Sequence, residues 1–187
     1  MKNRQQQTDE ELMELIYAHN HEAFSELVTR HSDRFYALAY RTLFNQSDAE
    51  DVVQESFLKL WHKPTLWKPK RGSKFTTWFY RLIVNACFDL NKKKSSQESS
   101  LTDQDYDLVA DENESNQQLS AIEEALKELP ERQRTALNLC FYEGLSNKEA
   151  ASIMDVNLKA LQSLIMRAKT TLKTHFNIAE ENEHEKQ

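Results

Sequence analysis

Apolar residues return every three or four positions along most of the chain. No stretch alternates apolar with polar as a half-buried strand does. A short helix is predicted around Glu10–Ala18. A long one follows from about His21 to Phe44, with Phe24, Leu27, Val28, His31, Phe35, Leu38 and Ala39 on one stripe; His31 reads there as a packed core histidine. "SDAE" opens a third helix, with Ser47 as N-cap and Glu50 completing a capping box. Its inner face is Ala49, Val52, Val53, Phe57 and Leu60. A fourth helix starts near Lys74 and is expected to bury Phe75, Trp78, Phe79, Leu82, Ile83, Ala86 and Leu90. Helices in this number can share one core.

The pattern stops at Ser95. Residues 95–118 are mostly Ser, Gln, Asp, Glu and Asn, a composition that cannot offset the entropy of ordering. Periodicity resumes at Leu119, through Ile122, Ala125, Leu126 and Leu129. Pro130 suits the first turn of the next helix, and Gly144 suits a helix end. "SNKE" (Ser146 to Glu149) is a second capping box that opens a short helix to about Met154. A turn at "DVN" leads to a last helix from Leu158 to about Phe176, with Leu158, Leu161, Ile165, Ala168 and Leu172 on its apolar stripe. The expected fold is therefore all-α. Two small helical domains, 21–94 and 119–176, are joined by a flexible acidic linker over 95–118. An extension with a short helix (1–20) precedes them, and a disordered acidic tail (177–187) follows.

Composition supports this outline. The 187 residues include only 2 Gly and 3 Pro, too few turn formers for a sheet-rich fold. No apolar run is long enough to span a membrane, and the N-terminus has no signal-like apolar core, so a cytoplasmic protein without membrane insertion is expected. Cys87 and Cys140 read as buried thiols in a reducing compartment. The formal net charge of -6 hides strong segregation. Residues 1–58 carry -6, 59–94 carry +9, 95–128 carry -9, 129–179 carry +3 and 180–187 carry -3. The two positive blocks are where a polyanion would dock.

Three constellations carry candidate chemistry. A short helix, a three-residue turn and a longer helix make a helix-turn-helix layout. Asp155 stands in the turn and tolerates a left-handed backbone. Opposite the apolar stripe of the last helix lie Lys159, Ala160, Gln162, Ser163, Met166, Arg167 and Lys169. Gln162 could read adenine, and the cations could meet phosphates. Any helical bundle can also carry such a face simply as a solvated one. The second constellation is "WKPKRGSKFTTWFYRL", residues 67–82, which has no acid at all. Beyond the four residues claimed by the core stripe, Trp67, Lys68, Lys70, Arg71, Lys74, Tyr80, Arg81 and Asn85 are expected in the loop or on the outer face. Cations with aromatic faces suit single-stranded or distorted DNA. The third is "DAEDVVQESFLKLW", whose outer face (Asp48, Asp51, Gln54, Glu55, Lys59) would repel DNA and should meet solvent or a basic protein. The six histidines are scattered, and neither H-E-x-x-H nor a Gly-rich phosphate loop occurs, so no enzyme, metal site or cofactor is expected.

"AFSELVTRHSDRFYALAYRTLFNQSDAEDVVQESFLKLW", "FTTWFYRLIVNACFDL" and "LPERQRTALNLCFYEGLSNKEAASIMDV" together resemble the extracytoplasmic-function (ECF) group of bacterial RNA polymerase sigma factors. The resemblance implies that 21–94 is a sigma-2-like domain that holds and helps open the −10 promoter element. It implies that 119–176 is a sigma-4-like domain that reads the −35 element and sits on the polymerase beta flap. It assigns the acidic face to the beta-prime clamp helices and the loop over 62–73 to −10 reading. An anti-sigma factor is the expected regulator, and the family has no enzymatic activity. Ala160 and Gln162 stand where many members place a threonine and a basic residue, and Leu164 where arginine is frequent. "GLSNKEAA" also resembles the output domain of response regulators, which leaves a stand-alone helix-turn-helix regulator as the alternative.

Overall fold

A computed structural model describes residues 6–68, 74–98 and 116–184. Every regular element among them is helical, and the chain divides into two compact units, the first reaching Lys92 and also taking in Ser152–Asp155, the second holding the remainder. Among the described residues no helix is long and apolar enough to cross a membrane.

The first unit contains α1 (Asp9–Tyr17), α2 (His21–Leu43), α3 (Gln46–His62), a 3-10 turn (Pro64–Leu66) and α4 (Phe75–Glu98). Each start has a local cause. Thr8 and Glu11 form a reciprocal capping box on α1, with Glu11 N–H to Thr8 Oγ1 at 3.1 Å and Thr8 N–H to Glu11 Oε2 at 2.8 Å. Asn20 accepts from Ala23 N–H at 2.9 Å to open α2, and Phe44 ends it in a left-handed conformation. The α3 cap corrects the sequence expectation. Asn45, not Ser47, is the N-cap, accepting from Asp48 N–H at 2.9 Å. Asn45 has the extended backbone a cap needs and caps as well as serine, so the helix begins earlier.

Leu12, Met13, Ile16, Leu27, Leu38 and Leu60 are fully buried around an aromatic cluster. Phe35 meets Phe79 at 4.6 Å and Tyr80 edge-on at 5.0 Å, and Phe57 meets Phe79 at 4.7 Å. Such pairs add about 0.5–1.5 kcal/mol each beyond area burial. His31 is buried as expected, with Nε2 2.9 Å from Asp9 Oδ2. Asp9 also pairs with Arg30 at 2.8 Å, which ties α1 to α2. Burial pushes the Asp9 carboxyl up, but the hydrogen bonds and charges of His31 and Arg30 outweigh it and hold the group below its ordinary value.

The second unit contains α5 (Asn116–Lys127), α6 (Glu131–Leu137) continuing as a π-helical turn (Asn138–Tyr142), α7 (Asn147–Ile153) and α8 (Leu158–His184). Buried Arg134 donates to the Lys127 carbonyl at 3.1 Å, satisfying an orphan acceptor at the end of α5. Gly144 follows two residues after the π turn, and its φ of 66° explains the glycine. Ser146 and Glu149 form the anticipated box: Glu149 N–H reaches Ser146 Oγ at 3.3 Å, and Ser146 N–H reaches Glu149 Oε2 at 3.0 Å. Asp155 takes φ 54°, the left-handed turn position foreseen for it. Asn157 then caps α8 by accepting from Ala160 N–H at 2.8 Å.

Both ordered segments outrun their expected ends. α4 continues to Glu98, past the proposed linker start, and α8 continues to His184, into the stretch expected to be a disordered tail. Polar helical residues such as Lys, Gln and Glu carry little propensity penalty, so apolar periodicity can end before the helix does. Cys87 is buried as expected, whereas Cys140 is only half-buried, and the described residues hold no disulfide.

Candidate nucleic-acid interface and acidic helix face

α4 places the first set of candidate side chains. Its buried positions are Phe75, Phe79, Tyr80, Ile83, Val84 and Cys87. Trp78, Leu82, Ala86 and Leu90, expected in the core, are only half-buried. The true inner face is thus rotated by about one residue from the expected stripe. Tyr80 is 1% exposed, which corrects its placement on the DNA side. Its ring lies against Phe35, with the Arg34 guanidinium 5.1 Å from its centroid.

Trp67 is corrected in the same way, at 2% exposure. The 3-10 turn at Pro64–Leu66 folds the chain back, so the indole stacks on Tyr17 at 6.5 Å and meets Phe75 edge-on at 6.0 Å. Trp67 therefore packs into the core between α1 and the start of α4. Lys68, Lys74, Arg81 and Asn85 are exposed, as expected of a contact surface. Lys70 and Arg71 lie outside the described residues.

Trp78, Arg81 and Asn85 share one stripe of α4, and Lys74, the residue just before the helix, stands four positions ahead of Trp78 in line with it. Trp78 is the aromatic that sequence reasoning missed for this surface. The 74-78-81-85 spacing was the available signal, but hydropathy favoured the core. Half-buried Trp78 between two exposed cations offers aromatic surface and charge together, which fits an unstacked base better than a regular duplex.

α3 presents a different surface. Asp51, Gln54, Glu55 and Lys59 are exposed, and Asp48 is half-buried in the first turn. Leu58 stands among them at 52% exposure, and Leu66 is 42% exposed just beyond the helix. Neither was singled out in the sequence. Leu58 lies off the 49-52-53-57-60 core stripe, which could have flagged it. An acidic face with an apolar residue at its centre suits a basic protein surface that also buries a leucine.

In the second unit, Lys159, Gln162, Met166, Arg167 and Lys169 are exposed on α8, with Ala160 and Ser163 half-buried. The structure thus brings all seven expected residues to the surface opposite buried Leu161 and Ala168. Leu158 is the exception on the apolar side. It is 45% exposed, while Ile165 and Leu172 on the same stripe are half-buried. Gln162, Met166, Lys169 and Lys173 line a shallow groove with Asn147 of α7. Lys169 Nζ sits 4.6 Å from the ring centroid of Phe141, itself 57% exposed. That cation–π contact limits the freedom of the lysine on this face.

Residues 27–97 match the family model described as Sigma-70 region 2, and residues 119–172 match that of Sigma-70, region 4. The chain is 32% identical over 161 residues to the ECF RNA polymerase sigma factor SigE of Mycolicibacterium smegmatis, covering 82% of this chain and 62% of that protein. It is 32% identical over 142 residues to the RNA polymerase sigma factor SigV of Bacillus subtilis, covering 75% of this chain and 83% of that one. Among solved structures, the sigma factor RpoE of Bartonella quintana, crystallised with the anti-sigma factor NepR, superposes with a TM-score of 0.70 at 22% identity. That match covers 83% of this chain and 97% of the other.

Proposed function

The chain belongs to the ECF group of RNA polymerase sigma factors, and we propose that its three exposed surfaces divide the work of promoter recognition. The α3 face, through Asp51, Gln54, Glu55, Lys59 and Leu58, binds the polymerase clamp. The α4 stripe of Lys74, Trp78, Arg81 and Asn85, with Lys68, holds the opened −10 element. The outer face of α8 reads the −35 duplex.

The physical logic is a division of cost. Duplex binding by α8 rests on cations at phosphates plus Gln162 at a base edge, where a bidentate pair discriminates by about 1–3 kcal/mol. Opening the −10 element costs a few kcal/mol of stacking per extruded base. Stacking on an aromatic such as Trp78 returns about 1–3 kcal/mol, and neighbouring cations add phosphate attraction. Neither block alone gives tight binding. Core polymerase joins the two DNA contacts in one complex, so the second becomes effectively intramolecular. An anti-sigma factor covering these surfaces would hold the chain inactive.

The observation that carries the reading is the separation of charge within the first unit. Exposed Glu50, Asp51 and Glu55 cluster on α3, whereas exposed Lys74 and Arg81 flank Trp78 at α4, so polymerase and DNA need not compete for one surface. Core polymerase supplemented with the full chain should yield promoter-specific transcripts from a subset of genomic fragments. Absence of any such transcript across the genome would overturn the proposal.

A further inference from the structure

Both ends of the segment that joins the 3-10 turn to α4 are held by one helix, α1. The Tyr17 hydroxyl donates to the Trp67 carbonyl, and its ring stacks on the Trp67 indole. Seven residues before Tyr17 on the same helix, Glu10 Oε1 accepts the Phe75 N–H at 3.0 Å. Phe75 is the first residue of α4, so a carboxylate from α1 satisfies an orphan donor there and complements the positive end of the helix dipole. The Trp67 and Phe75 rings meet edge-on at 6.0 Å, so the two clamped residues also contact each other.

α1 is itself firmly seated. Leu12, Met13 and Ile16 are fully buried, and Asp9 is tied to Arg30 and His31 of α2. Arg30 also donates to the Gln7 carbonyl at 2.9 Å. α1 is thus tied to α2 through Asp9, and to Trp67 and Phe75 through Tyr17 and Glu10.

We propose that α1 is a strap that sets the position of the −10 contact surface, with Tyr17 and Glu10 as its positioning residues. The inference rests on the reading that Lys68 and the α4 stripe hold the −10 element. Neither residue touches DNA. They fix where Lys68 leaves the core and where Lys74 re-enters helix, and so fix the spacing of cations around Trp78. A strap of this kind raises discrimination, because a loosely held surface accepts mismatched sequences almost as well as matched ones.

The test uses holoenzyme assembled from the full chain and core polymerase. The probe is a promoter fragment selected by the wild-type holoenzyme, together with copies substituted singly across the −10 element. Tyr17→Phe keeps the ring and removes the hydroxyl. Glu10→Ala removes the acceptor, while Glu10→Gln keeps a neutral one. The matched-to-mismatched affinity ratio should fall by about three- to tenfold in Tyr17→Phe and Glu10→Ala, the effect of one lost hydrogen bond. Glu10→Gln should recover most of it. Affinity for core polymerase should stay at the wild-type value, and the melting temperature should drop by no more than about 8 °C. A ratio unchanged from wild type in both folded variants would overturn the strap alone. A wild-type holoenzyme that selects no fragment would overturn the promoter function and the strap with it, so the two failures are distinguishable.

Discussion

Replacing Trp67 by alanine separates a supporting role from a DNA-contacting one. The side chain is 2% exposed and packs between Tyr17 and Phe75. A buried tryptophan removes roughly 150–250 Å² from water, about 4–6 kcal/mol at 25 cal/mol per Å². Measured aromatic-to-alanine truncations cost about 3–5 kcal/mol. One contribution runs the other way. The indole Nε1 is buried with no hydrogen-bond partner among the described residues, and truncation relieves that penalty of about 1–3 kcal/mol. A net loss near 3 kcal/mol follows. Against a typical total of 5–15 kcal/mol this is large but leaves the unit folded in buffer. All three tryptophans, Trp61, Trp67 and Trp78, lie in the first unit, so fluorescence of the remaining two reports on that unit alone. In urea the midpoint should fall by about 1–3 M, given slopes of about 1–3 kcal/mol per M. The adjacent exposed Lys68→Ala should shift stability by less than about 0.5 kcal/mol while weakening −10 binding. An unmoved Trp67→Ala midpoint accompanied by lost DNA binding would refute the supporting role and restore Trp67 as a stacking face.

Three further outcomes can be measured directly. Asp9 titrates below its ordinary value in the fold, so its contribution is fully present above the unfolded value of about 3.9 and is lost as pH falls through the folded one; in denaturation curves, Asp9→Asn should be less stable than wild type at pH 7, with the gap narrowing below about pH 4. Ser146→Ala removes the hydroxyl of the α7 capping box and should cost about 0.5–2 kcal/mol in the second unit, read by loss of helical circular dichroism on heating. For holoenzyme on −35 duplexes, Lys159→Ala should weaken binding evenly across sequences and lower the salt slope by about 0.9, whereas Gln162→Ala should relax preference at one base position by about 1–3 kcal/mol; an even loss for Gln162→Ala would remove it from base reading.

The helices, the α7 box, the left-handed Asp155 and the exposed face of α8 were legible because each depends on neighbours three or four residues away. The positions that were not legible depend on distant partners. Trp67 looks like a loop aromatic until Tyr17, fifty residues earlier, is seen stacked on it. Tyr80 and Trp78 exchange roles for a related reason. A stretch reading Trp-Phe-Tyr offers similar hydropathy at three successive positions, so periodicity alone cannot fix the rotation of α4. The rotation is set by where Phe35 and Phe57 of α2 and α3 stand, and both converge on Phe79, with Phe35 also against Tyr80.

That rotation has a consequence for the charge pattern. With Tyr80 turned inward, the aromatic between the α4 cations is half-buried Trp78, beside Lys74, Arg81 and Asn85. The proposed contact surface is then mounted on a helix whose opposite side is buried in the aromatic core. A site on a helix is held more precisely than one on a loop. Capture of an unstacked base repays its opening only if the receiving ring and cations are already in place, since ordering them on binding would consume the stacking energy gained. The acidic α3 face adds to the selectivity of the arrangement. The screening length is about 8 Å at physiological ionic strength, so its repulsion reaches only DNA that approaches on the wrong side. The -6 net charge is thus compatible with a DNA-binding protein that docks in one orientation.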